Sequence, residues 1–297
     1  MERKRIYLLA GGLGAVSFVT YRTISEQMFN SIFSRKKRPE QTEQKYLDWI
    51  AASNVDKAAV SSLDGLLLDA YDIHNHDDNK YIVLVHGIAS SKSFSYERAY
   101  KFDKLGYNTL VIDQRAAGDS EGDHYTFGQK ESLDILVWID YLLKKDPAMK
   151  IILYGVSMGA ATIMMATAND LPDNVCCIIE DCGYSDLKEV FAYRVAEDYK
   201  LKFPAPVVKM LENKMRSCFG ITMRDISPKK CLESNEIPIM FIHGDQDEVV
   251  PFKMALALYN HNKGPKKYYP IKGAGHTKAN TNPHYYENID RFIRENL

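Results

Sequence analysis

Polar and apolar positions along the chain fall into two regimes that meet near Glu40. Upstream, Met1-Glu2-Arg3-Lys4-Arg5 precedes an apolar run over 6–20, and the basic cluster Arg35-Lys36-Lys37-Arg38 follows later. Downstream, short continuous apolar runs alternate with stretches whose apolar residues recur every three or four positions. The first pattern predicts strands buried on both faces; the second predicts amphipathic helices. Residues 40–52 read as a helix with Tyr46, Trp49 and Ile50 on one face, and 58–62 with 66–73 as a hairpin about the turn Asp64-Gly65. Strands are predicted at 81–85, 107–112, 150–154, 175–179, 237–242 and 267–271. Helices are predicted at 94–105, 130–145, 158–168, 252–260 and 285–296.

Strand-helix alternation builds a parallel sheet covered by helices on both faces, here with an antiparallel hairpin at one edge. The stretch 185–235 breaks the rhythm. It carries Phe191, Tyr193, Tyr199, Phe203, Met210, Met215 and Phe219 among many charges, with Pro204 and Pro206 as breakers, and reads as a helical insertion. In an open α/β sheet, connections after the carboxyl ends of strands build the binding site. The domain reading is therefore an N-terminal segment over 1–21, a basic spacer and helix over 22–57, and a globular domain over 58–297 that contains the insertion.

The N-terminal pattern, a basic start before an apolar run, is that of a signal or membrane anchor. No small-residue cleavage site follows, since Val19-Thr20-Tyr21-Arg22 is the wrong chemistry. The expectation is an uncleaved single-pass anchor with the N-terminus inside and the globular domain extracytoplasmic. The cluster over 35–38 is then either a solvated linker or a contact for anionic headgroups.

Composition changes this picture little. With 38 basic against 39 acidic side chains in 297 residues, the chain lacks the basic excess that nucleic-acid binding requires. Five cysteines without a CxxC pair signal neither a disulfide framework nor a zinc site. Nothing in the sequence fixes an oligomeric state.

Candidate chemistry enters at Gly155-Val156-Ser157-Met158-Gly159, between a predicted strand and a predicted helix. A nucleophile on such a sharp turn needs small neighbours on both sides. A serine hydroxyl also needs a base, and the base an orienting acid, in the chain order Ser, Asp or Glu, His. His276, in the loop Gly273-Ala274-Gly275-His276 after the last strand, is the candidate base. His243 reads as structural, and His261 and His284 as solvated. Asp247 is the candidate acid, Asp245 reads as a turn former, and Glu180 and Asp181 are the alternative acids. A developing oxyanion needs preorganised donors. The backbone N–H groups of Met158, at a helix start, and Ile88, after Gly87, are the candidates. His86 reads as shaping that loop.

These ordered motifs, together with Asp113-Gln114-Arg115-Ala116-Ala117-Gly118-Asp119-Ser120-Glu121-Gly122, resemble the α/β-hydrolase superfamily. The resemblance runs from about Ala58 to Leu297. It implies an eight-stranded, mostly parallel sheet with helices on both faces and a helical lid at 185–235. More narrowly, the pattern over 155–165 with Asp181-Cys182-Gly183-Tyr184 is similar to bacterial membrane-anchored hydrolases of the serine aminopeptidase and monoacylglycerol lipase branch. Val156 and Ala117 stand where many relatives have His. The activity implied is hydrolysis of a small acyl ester, lipid-like esters included, through an acyl-enzyme, with no metal or organic cofactor called for. Amide or peptide hydrolysis and acyl transfer use the same residues. A membrane-tethered binding protein without catalysis is the reading from another class.

Overall fold

The computed structural model describes residues 22–35 and 42–297. The expected anchor over 1–21 lies outside them. Among the described residues no helix is long and apolar enough to cross a membrane. The single-pass anchor and the extracytoplasmic membrane placement expected from the sequence are therefore not supported. The apolar run over 6–20 is itself shorter than the ~20 residues a spanning helix needs.

A helix over 22–33 (α1) comes first, then α2 (Gln44–Ala52) and the hairpin β1 (Val55–Ser61) and β2 (Leu67–Ile73). Next is β3 (Lys80–Val85), a 3₁₀ turn (Lys92–Ser95) that runs into α3 (Tyr96–Asp103), and β4 (Asn108–Ile112). Three alternating pairs follow: α4 (Glu131–Lys145) with β5 (Lys150–Val156), then α5 (Met158–Ala166) with β6 (Val175–Asp181). The third is an extended helical stretch of α6 (Leu187–Tyr199), α7 (Ala205–Phe219) and the one-turn α8 (Pro228–Cys231) before β7 (Ile239–Gly244). The chain closes with α9 (Lys253–His261), β8 (Lys266–Ile271) and α10 (Tyr285–Glu295).

The eight strands form one sheet in the order β1-β2-β4-β3-β5-β6-β7-β8. β1 pairs antiparallel with β2, and β2 with β4; every later pairing is parallel. From β3 the chain crosses to one side to lay down β4, then to the other for β5. The carboxyl ends of β3 and β5 therefore flank the point where the winding reverses, the place where open α/β sheets open a crevice.

Because β3 to β7 are apolar at successive positions, each strand feeds both faces. Ile82, Leu84, Ile152, Tyr154, Ile179 and Ile242 pack beneath α2, α3 and α10, with Phe102 and Tyr285 buried among them. Val83, Val85, Leu153, Ile178 and Phe241 face α4, α5 and α9, where Trp138, Ile163 and Leu258 meet them.

A third apolar layer lies over α5 and is built by α1, α6 and α7. Phe29 and Phe33 of α1 are 1% and 0% exposed, and their rings stack 4.5 Å apart. Phe33 also meets Phe127 at 5.0 Å and Phe191 at 5.8 Å, while Phe29 meets Phe219 at 5.5 Å. The sequence reading placed 22–33 in a spacer; in the structure these turns are part of the packed fold. Arg35 likewise is tied to the fold rather than part of a free linker. It donates to the carbonyls of Gly118 and Ser120, and its own N–H bonds Asp123 O at 2.7 Å. Residues 36–38 lie outside the described chain.

Candidate active site

β5 delivers its last residue, Val156, straight into Ser157, and α5 begins at Met158. Ser157 sits at φ 56°, ψ −118°, a left-handed conformation that costs an L residue about 1–3 kcal/mol. The turn is sharp enough that side chains at both flanking glycines are excluded. A Cβ on Gly155 would stand 2.4 Å from Gly159 O, and one on Gly159 would stand 2.2 Å from Val85 O. The loop after β3 passes directly beside the serine, since a Cβ on Gly87 would lie 3.3 Å from Ser157 Cβ. Ile88 is next in that loop and half-buried; Met158 is 1% exposed. The two expected oxyanion donors thus belong to segments that flank Ser157.

The loops after β7 and β8 bring the other two expected residues to the same place. His276 Nε2 is 2.9 Å from Ser157 Oγ, and His276 Nδ1 is 2.7 Å from Asp247 Oδ2. Asp247 Oδ1 accepts the backbone N–H groups of Val249 and Val250, each at 2.8 Å. Burial opposes ionisation of Asp247, but bonds from His243 and His276 hold its carboxyl well below the ordinary carboxylate range. With Nδ1–H donating to an ionised Asp247, Nε2 of a neutral His276 is left to accept the serine proton.

The alternative acids stand elsewhere. Glu180 accepts Gly183 N–H at 2.8 Å, and burial pushes its carboxyl up to about 8. Asp181 Oδ2 accepts the Tyr285 hydroxyl at 2.6 Å, and burial raises its pKa against the pull of Arg98. Neither bonds His276. Asp245 differs from the turn former expected: its Oδ1 accepts Gly273 N–H at 2.7 Å and so ties the acid loop to the histidine loop.

The remaining histidines divide as their surroundings dictate. His86 is fully buried, bonds Gly87 O at 2.7 Å and accepts Gln114 N–H at 3.1 Å; burial lowers its pKa. His284 is exposed beside Glu287, whereas His261 is half-buried against Ala257 O. His243 does more than the sequence reading gave it. Its Nε2 donates to Val250 O at 2.9 Å and lies 3.2 Å from Asp247 Oδ2, so it braces the acid.

A second feature missed by sequence reasoning is Lys92. The residue is 4% exposed, and its ammonium reaches Asp69 at 2.7 Å, Asp113 at 2.7 Å and Asp119 at 2.6 Å. Burial works against the charge, and Asp113 with its neighbours more than restores it, so the lysine stays cationic. Beside it, Arg115 bonds Asp134 at 2.6 Å and Asp64 at 3.0 Å. These two cations fix the loop after β4. The signal available in the sequence was the density of aspartates around Asp113, but their cationic partner lies in another connection.

A family model for the alpha/beta hydrolase fold matches residues 80–217 of the chain. The fold is that of the α/β hydrolases. An uncharacterized protein of Bacillus subtilis, YqkD, is 26% identical to this hydrolase-fold chain over 99% of its length and 98% of the relative's. Among solved structures, an esterase of Pyrococcus furiosus, Pf2001, aligns with a TM-score of 0.70 at 21% identity. The alignment covers 89% of this chain and 98% of that one. An acetyl xylan esterase from Paenibacillus sp. R4 aligns with a TM-score of 0.62 at 16% identity, over 91% and 99% of the two chains. At these identities the likeness is one of fold.

Proposed function

We propose that this chain is a serine hydrolase that cleaves carboxylic esters through Ser157, His276 and Asp247. The observation that carries the reading is the continuous hydrogen-bonded line from Ser157 Oγ through His276 to Asp247, mounted on a strained strand-to-helix turn. The esterases among the fold's solved neighbours support the choice of substrate bond.

Ser157 Oγ attacks the acyl carbonyl carbon as its proton passes to His276 Nε2. The negative charge that develops on the carbonyl oxygen is met by the N–H groups of Met158 and Ile88, the first aided by the positive end of α5. The imidazolium then gives its proton to the departing alkoxide, which leaves as the alcohol. A water, deprotonated by the same nitrogen, attacks the acyl-serine; the carboxylic acid departs and Ser157 recovers its proton. Asp247 holds the ring in the tautomer with Nδ1–H and balances the imidazolium charge. The stretch 185–235 supplies the lid, and its apolar side, with Tyr184, Phe191 and Met158 in one buried cluster, supplies the bed for the acyl group.

A fluorophosphonate probe tests the assignment directly. The folded protein should be labelled at Ser157, and Ser157→Ala should take neither label nor substrate. Unchanged ester hydrolysis by Ser157→Ala would remove the proposal.

A further inference from the structure

Cys182 follows β6 and is 1% exposed, with the left-handed φ of 52° that few non-glycine residues adopt. Thr277, next to His276, shares that unusual region at φ 60°, and its backbone N–H hydrogen-bonds the cysteine sulfur. Two strained residues thus hold a thiol against the histidine loop. The sulfur, a carboxylate oxygen of Asp247 and a ring nitrogen of His276 all lie within 4.8 Å of one another. One soft, one borderline and one hard donor face a common point, and Asp247 brings a full negative charge to it.

In a tetrahedral site with metal–sulfur distances of ~2.3 Å and metal–nitrogen or metal–oxygen distances of ~2.1 Å, ligand atoms stand roughly 3.4–3.7 Å apart. The three donor atoms, already within 4.8 Å of one another, stand close to that spacing. Thiolate, imidazole and carboxylate together select a d10 cation over the hard divalent ions, which prefer all-oxygen sites.

We propose that Cys182, Asp247 and His276 form an inhibitory site for a thiophilic d10 cation, Cd2+ or Zn2+. Binding releases the Cys182 thiol proton to solvent, while the His276 proton moves from Nδ1 to Nε2 and the ring stays neutral. No electron is transferred. The cation takes the place of the Nδ1–H that Asp247 orients, and Nε2, now carrying the proton, no longer accepts one from Ser157. The inhibitory half of the proposal rests on the reading of Ser157, His276 and Asp247 given above; the binding half does not.

The test uses the full chain carrying Cys176→Ser, Cys218→Ser and Cys231→Ser, freed of metal by chelation and then titrated with Cd2+. Two signals are followed together: the ultraviolet absorption of a cadmium–thiolate bond, and hydrolysis of a short p-nitrophenyl ester. Both should change along one saturation curve. In Cys182→Ala the absorption step should vanish, and the half-inhibitory Cd2+ concentration should rise by about tenfold or more. Cys182→Ser serves the same purpose if the alanine variant does not fold. Equal inhibition of the parent and the Cys182 variants would overturn the site, as would an absorption step that ends only beyond one equivalent. An absorption step lost with Cys182 but without any inhibition would uphold the cation site and count against the proposed role of His276 instead.

Discussion

Ser157, His276 and Asp247 stand 119 and 29 positions apart along the chain, measured from His276, and yet share one line of hydrogen bonds. Each was legible because its loop carries a local mark: the glycines about the serine, the acid-rich turn after an apolar strand, the glycines before the histidine. If the proposed roles of Ser157 and His276 hold, removal of either is severe. Ser157→Ala and His276→Ala should each lower turnover at least ~10³-fold with melting behaviour retained. Asp247→Asn should cost on the order of 10⁴-fold, because the amide favours the wrong ring tautomer. Comparison with Asp181→Asn settles the acid: if that variant, and not Asp247→Asn, loses activity, the assignment has failed. What stayed illegible at this scale were partners rather than residues. His243 bracing Asp247, and Lys92 among three aspartates, depend on which side chains a folded sheet brings together, and no spacing rule encodes that.

Among the elements, the sheet and its covering helices were readable from periodicity because β3 to β7 are apolar on both faces and helices such as α3, α4 and α10 on one. Strand ends were not. β5 and β6 run on through Gly155-Val156 and Glu180-Asp181, where the pattern turns polar or glycine-rich but the parallel register persists. The apolar content of 22–33 was visible too, yet its destination was hidden. Phe29 and Phe33 pack on Phe127, Phe191 and Phe219, far along the chain. A wholly buried aromatic in such a cluster predicts a large cavity cost. Phe33→Ala should lose about 3–5 kcal/mol of stability, read as a lowered urea midpoint with an unchanged slope. A midpoint within experimental scatter of the parent would show that α1 docks without contributing to the core.

For the molecule as a whole, buried carboxyls couple stability to pH in opposite senses. Asp247 has its folded pKa depressed by His243 and His276 despite burial. Its stabilisation is present above the unfolded carboxylate pKa and is lost as pH falls through the folded value. Glu180 behaves the other way, because burial raises its carboxyl from the ordinary glutamate range to about 8. Between those values the folded state holds a proton that the unfolded chain has released, so stability falls as pH rises. Glu180→Gln keeps an acceptor for Gly183 N–H and removes the titration. Its urea midpoint should gain steadily on the parent's from pH 5 to pH 8. A constant offset across that range would place the proton elsewhere.

The seat of α1 also sets an order of events during synthesis. Phe29 and Phe33 leave the ribosome before the aromatic residues that bury them, with Phe219 the last of these to appear. At about 5–20 residues per second, roughly 10–40 s pass between the emergence of Phe29 and that of Phe219. Through that interval an aromatic pair waits in water without its pocket, an invitation to nascent-chain binding factors or to a second copy of the chain. The docking of α1 therefore waits for α7 to be made, and the cap is complete only when aromatic residues far apart along the chain have met.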